Sequence, residues 1–443
     1  MEKIPNKKWS GKSWHRRASK PITLWMMVFI LAGAVHTLIP NYRWVLIHLF
    51  TLGVVTNNIV VWSQYLTEKF VQARLPESAR PNQLRRIYIL NAGVVLAIIG
   101  QALDDIWDPH FILTQLGALI VGAMLIWHGA SLTQQWRGVD SAKRFRPIIL
   151  GYVGSALCLP VGAFFGAILS MGLSEPWYGR LLTAHVVANI GGFTGLAAAA
   201  SLTVLFPTMW RTKGITTRMN PTLALLAVGT AVTIAGALSS LAWLTGAGLV
   251  VYAAGWLASL QQWLRNVGAV LAEPRDRVSY PAVSVLAAVT WLALTIVYLA
   301  VQVFISGNPE PLPTLPLLIG FAGQLLIGVL SYIMPTTMGG GPSAVRAGLK
   351  EMNRGGLFRS TLINGGLIVW LITEKSWLAV FSSVLCIIPL AAFPVFMIRA
   401  VKAQKAVLMK QAEGPAPETE SQWGQITAGL VTLALLLAVF GGI

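Results

Sequence analysis

Charge is scarce in this 443-residue sequence. Only 11% of its residues are Asp, Glu, Lys or Arg, against roughly a quarter in soluble domains. Cysteine is scarcer still: Cys158 and Cys386 both lie inside apolar runs, which excludes a disulfide framework and a cysteine zinc site. No soluble domain or low-complexity tract interrupts the chain. Its one glycine cluster, Gly339-Gly340-Gly341-Pro342, lacks the Lys and Ser/Thr that a phosphate-cradling loop needs. No Asp, Glu, Lys or Arg is expected deep within an apolar run, which argues against a proton relay.

What the chain has is apolar length. Hydrophobic residues make up 55% of it, and its mean hydropathy is +0.66. Runs of about 20 apolar residues mark transmembrane helices. Thirteen are expected, over 22-40, 44-65, 87-104, 111-132, 147-172, 181-206, 220-241, 245-264, 281-304, 315-336, 357-373, 377-398 and 425-442. The expected class is an all-α integral membrane protein. Residues 1-21 form a basic cytoplasmic tail, 22-398 a polytopic domain of twelve spans, 399-424 a cytoplasmic linker and 425-443 a terminal span.

The first span contains Ala32-Gly33-Ala34, which resembles a signal-peptide cleavage site. The apolar run continues past it to Pro40, so a retained anchor is expected. With the N-terminus inside, cytoplasmic segments hold 30 of the 33 Lys and Arg residues, leaving Arg43, Arg180 and Lys375 outside. That is the positive-inside bias, and it puts the C-terminus outside. The net charge of +17 is thereby assigned to the membrane surface and its lipid, with no nucleic-acid partner. Two inner loops, 67-86 and 337-356, are long enough for interfacial helices. In the second, Ser343 is expected to cap an amphipathic helix ending near Asn353.

Spans 2, 6 and 10 each carry polar residues in a glycine-containing run: His48 to Asn58, His185 to Thr194, and Gln324 to Tyr332. Their four-helix spacing suggests three arcs of four helices plus the terminal one. Other polar groups expected within spans are Asn91, Gln101, Gln115, Gln261, Gln302, Gln324 and Asn364, none charged.

Four of the six histidines share one depth. His48 and His185 each lie four residues into a span, ~6 Å below the outer boundary; His36 is near the outer end of span 1 and His110 opens span 4. The short 41-43 connection makes spans 1 and 2 neighbours, so His36 and His48 are expected to approach each other. His185, Asn189, Gly192 and Gly195 line one face of span 6, and His48, Thr51, Val55 and Asn58 a face of span 2. Imidazole ligates copper, iron and zinc, so His36, His48, His185 and His110 are candidate metal ligands. His48, His185 and His36 are also candidate haem ligands, and Asn57, Asn58 and Asn189 candidate supporting hydrogen-bonders. The alternatives are histidines that merely hydrogen-bond between helices, a purely structural subunit, or a transporter whose Asn, Gln and Gly faces line a path. His15 is expected to be solvated or interfacial, and His128 to make a structural hydrogen bond.

At HLFTLGVVTNNIVVWSQYL (48-66), AHVVANIGGFTGLAAAASLTVLFPTMWRTK (184-213) and LSYIMPTTMGGGPSAVRA (330-347), the chain resembles the membrane region of bacterial membrane multicopper oxidases and nitrite-reductase-like copper proteins. In those proteins cupredoxin domains follow the last helix. More distantly it is similar to the NnrS family and to haem–copper oxidase subunit I. The resemblance implies a multi-pass inner-membrane protein binding haem b or copper near its outer face. It would work in electron transfer or in handling copper or nitrogen oxides, beside a periplasmic cupredoxin or multicopper oxidase partner. His48 matches the helix-2 position, implying an axial haem ligand, and His185 the helix-6 position, implying a copper ligand. Span 7 has no histidine, and span 10 offers Gln324, Tyr332 and Met334 where two histidines are expected. An oxygen-reducing binuclear centre is therefore not implied.

Overall fold

The computed structural model describes residues 11–213, 219–275, 277–417 and 420–441, and every regular element among them is helical. A short helix α1 (Gly11–Ala18) leads into α2 (Lys20–Ala34). There follow α3 (Tyr42–Phe70), α4 (Arg80–Ala102), α5 (His110–Gly138), α6 (Pro147–Leu169), α7 (Trp177–Met209), α8 (Met219–Ser239), α9 (Ala242–Ala272) and α10 (Tyr280–Ser306). The chain ends with α11 (Pro316–Met338), α12 (Pro342–Met352), α13 (Gly356–Ile372), α14 (Ser376–Leu408) and α15 (Gly424–Gly441).

Eleven helical stretches among the described residues are long and apolar enough to cross a membrane, as a multi-pass membrane protein requires. The two remaining expected spans are shorter. α2 has 15 residues and gives way to a 3-10 turn at His36–Leu38, so it is about 22 Å long where a hydrocarbon core is about 30 Å thick. The terminal apolar helix, Gly424–Phe440, is likewise below full spanning length.

Several boundaries differ from expectation. In the 67-86 connection α3 continues to Phe70, a 3-10 turn follows at Glu77–Ala79, and α4 begins at Arg80 rather than at residue 87. α14 runs on to Leu408, well into the expected 399-424 linker. The amphipathic helix α12 forms, but Gly341 rather than Ser343 occupies its N-cap. Gly339, Gly340 and Gly341 all have positive φ, at 68°, 94° and 90°, a path that residues with a Cβ resist. Ser343 instead accepts a hydrogen bond from Arg346.

The described residues fall into two compact units, one within Met1–Thr203, Ile215–Trp256 and Ile296–Pro311 and the other within Val204–Gly214, Leu257–Thr295 and Leu312–Ile443. In the first, α4 and α5 approach so closely that a Cβ at Gly117 would stand 2.5 Å from the Ala97 nitrogen, the small-residue packing typical of membrane helices. In the second, buried Gln404 donates to the carbonyls of Pro335 and Gly339, at 2.9 and 2.7 Å, and so satisfies the end of α11.

The three helices singled out by their polar glycine runs share a backbone irregularity. π-helical turns occupy Leu49–Val55 in α3, Val187–Gly195 in α7 and Pro316–Gly323 in α11. Such insertions are rare and concentrate at functional sites.

A side-chain lock repeats with them. In the first unit Asn57 and Asn91 exchange hydrogen bonds (2.8 and 3.1 Å), Trp25 Nε1–H donates to Asn91 at 2.5 Å, and Gly53 leaves room for the Trp25 ring. In the second unit Gln324 and Asn364 exchange hydrogen bonds (2.9 and 3.0 Å), Trp291 donates to Asn364 at 2.8 Å, and Gly320 leaves room for the Trp291 ring. Around the middle π segment the glycine is Gly192, and it faces Cys158 and Thr230, so the space is filled without amides.

Candidate functional site

His48 ends the first α-helical part of α3, just before its π turn. Its Nδ1 lies 2.8 Å from the Trp44 carbonyl one turn back, and the Trp44 ring stacks on it with centroids 3.7 Å apart. His185 precedes the π segment of α7, and its Nδ1 lies 2.8 Å from the Gly162 carbonyl on α6. A carbonyl only accepts, so in both rings Nδ1 carries the proton and Nε2 keeps its lone pair. Fixing the tautomer through the second ring nitrogen is how proteins orient metal-ligating imidazoles.

The two rings are brought together, with centroids 6.2 Å apart and planes inclined by 41°. Metal–nitrogen bonds of about 2 Å, added to the ring radii, separate two imidazoles across one ion by roughly 6 Å. Among the described residues no group of three or more His, Cys, Asp or Glu side chains is placed to hold a metal ion. Two imidazoles do not complete a tetrahedral zinc site. They do suit haem iron, whose porphyrin supplies the other ligands, or copper, for which imidazole is a suitable ligand.

Glycines on α6 make the pocket for His185. A Cβ on Gly166 would lie 2.8 Å from its Cε1, and one on Gly162 would lie 2.3 Å from Asn189 Oδ1. The Asn189 amide nitrogen stands 3.3 and 3.4 Å from the two ring nitrogens of His185. Near-equal distances to both place it over the ring face rather than in line with either lone pair. Asn189 Oδ1 is buried without a partner, as is Asn58 Oδ1, while the Asn58 amide donates to Val54 at 2.8 Å. Asn57 belongs to the amide lock and not to this pocket.

The other candidates have separate partners. His36 Nδ1 bonds the Gly33 carbonyl at 2.9 Å, and its ring faces Tyr42 at 5.2 Å. His110 Nε2 lies 2.8 Å from Asp104 Oδ1. His128 bonds Ser63 at 2.9 Å, and His15 sits against the rings of Trp62 and Tyr65.

Sequence reasoning missed the residues that support the π segment of α7. Ser155 donates to the Phe193 carbonyl at 2.6 Å and Tyr252 to the Gly191 carbonyl at 2.9 Å. Thr194 bonds the Asn189 carbonyl five residues back, at 3.0 Å. Widening a helix frees carbonyls, and these hydroxyls satisfy them. Glycine-richness next to His185 was the only signal of this. No family model, curated protein or solved structure matches the chain.

Proposed function

We infer that the chain is a bacterial inner-membrane protein that holds haem b or copper at His48 and His185, near its outer face. It serves electron transfer or the handling of copper or nitrogen oxides, with a periplasmic cupredoxin or multicopper oxidase as partner. The reading includes thirteen spans in three four-helix arcs plus a terminal helix, with the N-terminus cytoplasmic and the C-terminus extracytoplasmic.

The observation that carries the reading is the pair of imidazoles at 6.2 Å, each with Nδ1 held by a backbone carbonyl. The bound group would supply one-electron chemistry. The chain's own contribution is orientation: Trp44 and Gly162 present the Nε2 lone pairs, Trp44 stacking fixes the His48 plane, and Gly166 admits His185. His36 and His110 remain candidate contributors through the resemblance alone. His48→Ala and His185→Ala should each abolish haem and copper content in protein that still purifies intact. Undiminished content in both variants would reject the site.

One observation favours a second reading, a transporter without a redox cofactor. Irregular, glycine-bearing backbone at Leu49–Val55, Val187–Gly195 and Pro316–Gly323 is the kind of interruption from which transporters build binding sites. Solute flux in vesicles from a cofactor-free preparation would support it.

A further inference from the structure

Arg86 lies two turns into α4 and is only 3% exposed, although sequence reasoning assigned it to a cytoplasmic loop. Arg80, two turns earlier, is neutralised: it makes two hydrogen bonds to Glu68, at 2.7 and 2.6 Å. Arg86 has no such acid among the described residues. Its neighbours are the Trp127 ring, 5.8 Å from the guanidinium carbon, and His128, which its charge reaches. A guanidinium cannot shed its proton, and a buried charge without a counter-ion is strongly unfavourable.

Buried polar atoms on the same helix and on α5 also lack partners. Gln83, one turn away on the same face of α4, is 3% exposed, and its amide nitrogen has no partner. Arg86 Nε and His128 Nδ1 are also buried without partners, and His128 is 1% exposed. His128 Nε2 lies 2.9 Å from Ser63 Oγ, which also reaches the Val60 carbonyl at 3.4 Å, so the ring proton can sit on either nitrogen. Two buried donors, one of them on a cation, beside an imidazole able to present a third, call for a group that accepts.

The second copy of the amide lock supplies an internal control. Arg86 precedes Asn91 by five residues, as Arg359 precedes Asn364. Arg359 is held by protein more fully, although its Nε is also buried without a partner: it donates to the Met352 carbonyl at 2.5 Å and lies between the rings of Tyr280 and Phe396, at 3.9 and 4.1 Å. The first copy retains the arginine and lacks that cage. Trp127 beside it is 37% exposed, on an apolar helix, so the cation adjoins a lipid-facing ring.

We propose that Arg86, Gln83 and His128 form a phosphate-binding site for the headgroup of an anionic phospholipid, with Trp127 against its acyl chain. Cationic pockets between membrane helices bind such headgroups, and a phosphate offers acceptors only. The site is separate from the histidine pair and does not depend on it.

The test is the thermal unfolding of the full chain in detergent after exhaustive delipidation. Short-chain phosphatidylglycerol, short-chain phosphatidylcholine and inorganic phosphate are added in separate arms, and native mass spectrometry counts retained lipid. Phosphatidylglycerol should raise the melting temperature by several degrees, more than phosphatidylcholine does. Arg86→Gln should lose that rise and the retained lipid while melting no lower than wild type without lipid, because it removes an uncompensated charge. An equal rise with inorganic phosphate alone would assign the same site to free phosphate. An unchanged rise in Arg86→Gln, no response of wild type to either anion, or a lower lipid-free melting temperature in Arg86→Gln would overturn the proposal. Should Arg86→Gln fail to fold, Gln83→Leu decides: a reduced phosphatidylglycerol response supports the site and an unaltered one overturns it.

Discussion

Spacing put His48 and His185 at one depth, four residues into runs that begin after Arg43 and Arg180, and the two rings lie 6.2 Å apart. What completes their geometry was not legible in the spacing. The Gly162 carbonyl, the Gly166 void and the Tyr252 hydroxyl come from other helices, and a single sequence does not say which helices meet. Gly166→Ala gives a direct check. Its Cβ would meet His185 Cε1 at 2.8 Å, so the ring must move, and affinity for haem or copper should fall about 10- to 100-fold, as when a ligand's support is disturbed. Titration of the cofactor into both proteins measures it.

A second residue-scale prediction concerns pH. His15 lies in the tail ahead of α2, where burial holds its imidazole down at about 4. In the unfolded chain the value is about 6.5. Between those values the unfolded chain binds more protons, so stability is full above about pH 6.5 and falls as pH drops toward 4. The slope is at most about 1.4 kcal/mol per pH unit. Thermal melts from pH 7.5 to 4.5 should show this decline, and His15→Phe, which keeps a ring against Trp62 and Tyr65, should flatten part of it.

Among the helices, the four-span period of glycine-containing polar runs picked out α3, α7 and α11 but not their π turns, and on α11 the run Gln324 to Tyr332 begins only after the turn has ended at Gly323. Nor did the sequence show that the polar residues on α3 and α11 pair with residues on other helices. Asn91 and Asn364 lie 273 positions apart with little local similarity, yet each accepts from a tryptophan and exchanges bonds with an amide. Asn91→Ala would orphan Trp25 Nε1 and Asn57 Oδ1, the Asn57 amide nitrogen keeping its bond to the Gly53 carbonyl, at about 1–3 kcal/mol for each buried group. Asn364→Ala should cost a similar amount through Trp291 and Gln324. Combining Trp25→Phe with Asn91→Ala should cost less than the two single losses together, since no indole donor is then left unpaired. Denaturant unfolding in mixed micelles tests both copies, and strict additivity in the cycle would contradict the lock.

At the scale of the whole molecule, composition gave the all-helical, multi-pass character, because nothing else accommodates this much apolar length with so little charge. Hydropathy did less well at the helix ends. It treated Arg80 and Arg86 as loop cations, whereas α4 buries both, one against Glu68 and one without an acid. The proposed topology rests on where lysines and arginines fall. Reporter fusions should therefore find residue 20 on the cytoplasmic side and residue 441 on the other. Both termini on one side would contradict the odd number of spans.

The most direct test of the proposed function is the optical spectrum of the detergent-purified full chain, oxidised and dithionite-reduced, with iron and copper measured on the same sample. Expression should be supplied with both haem and copper. A Soret band with sharp reduced α and β bands, or stoichiometric copper without them, is the expected result, lost in His48→Ala and His185→Ala. A colourless protein containing neither metal would contradict a redox cofactor at the histidine pair and favour the transporter.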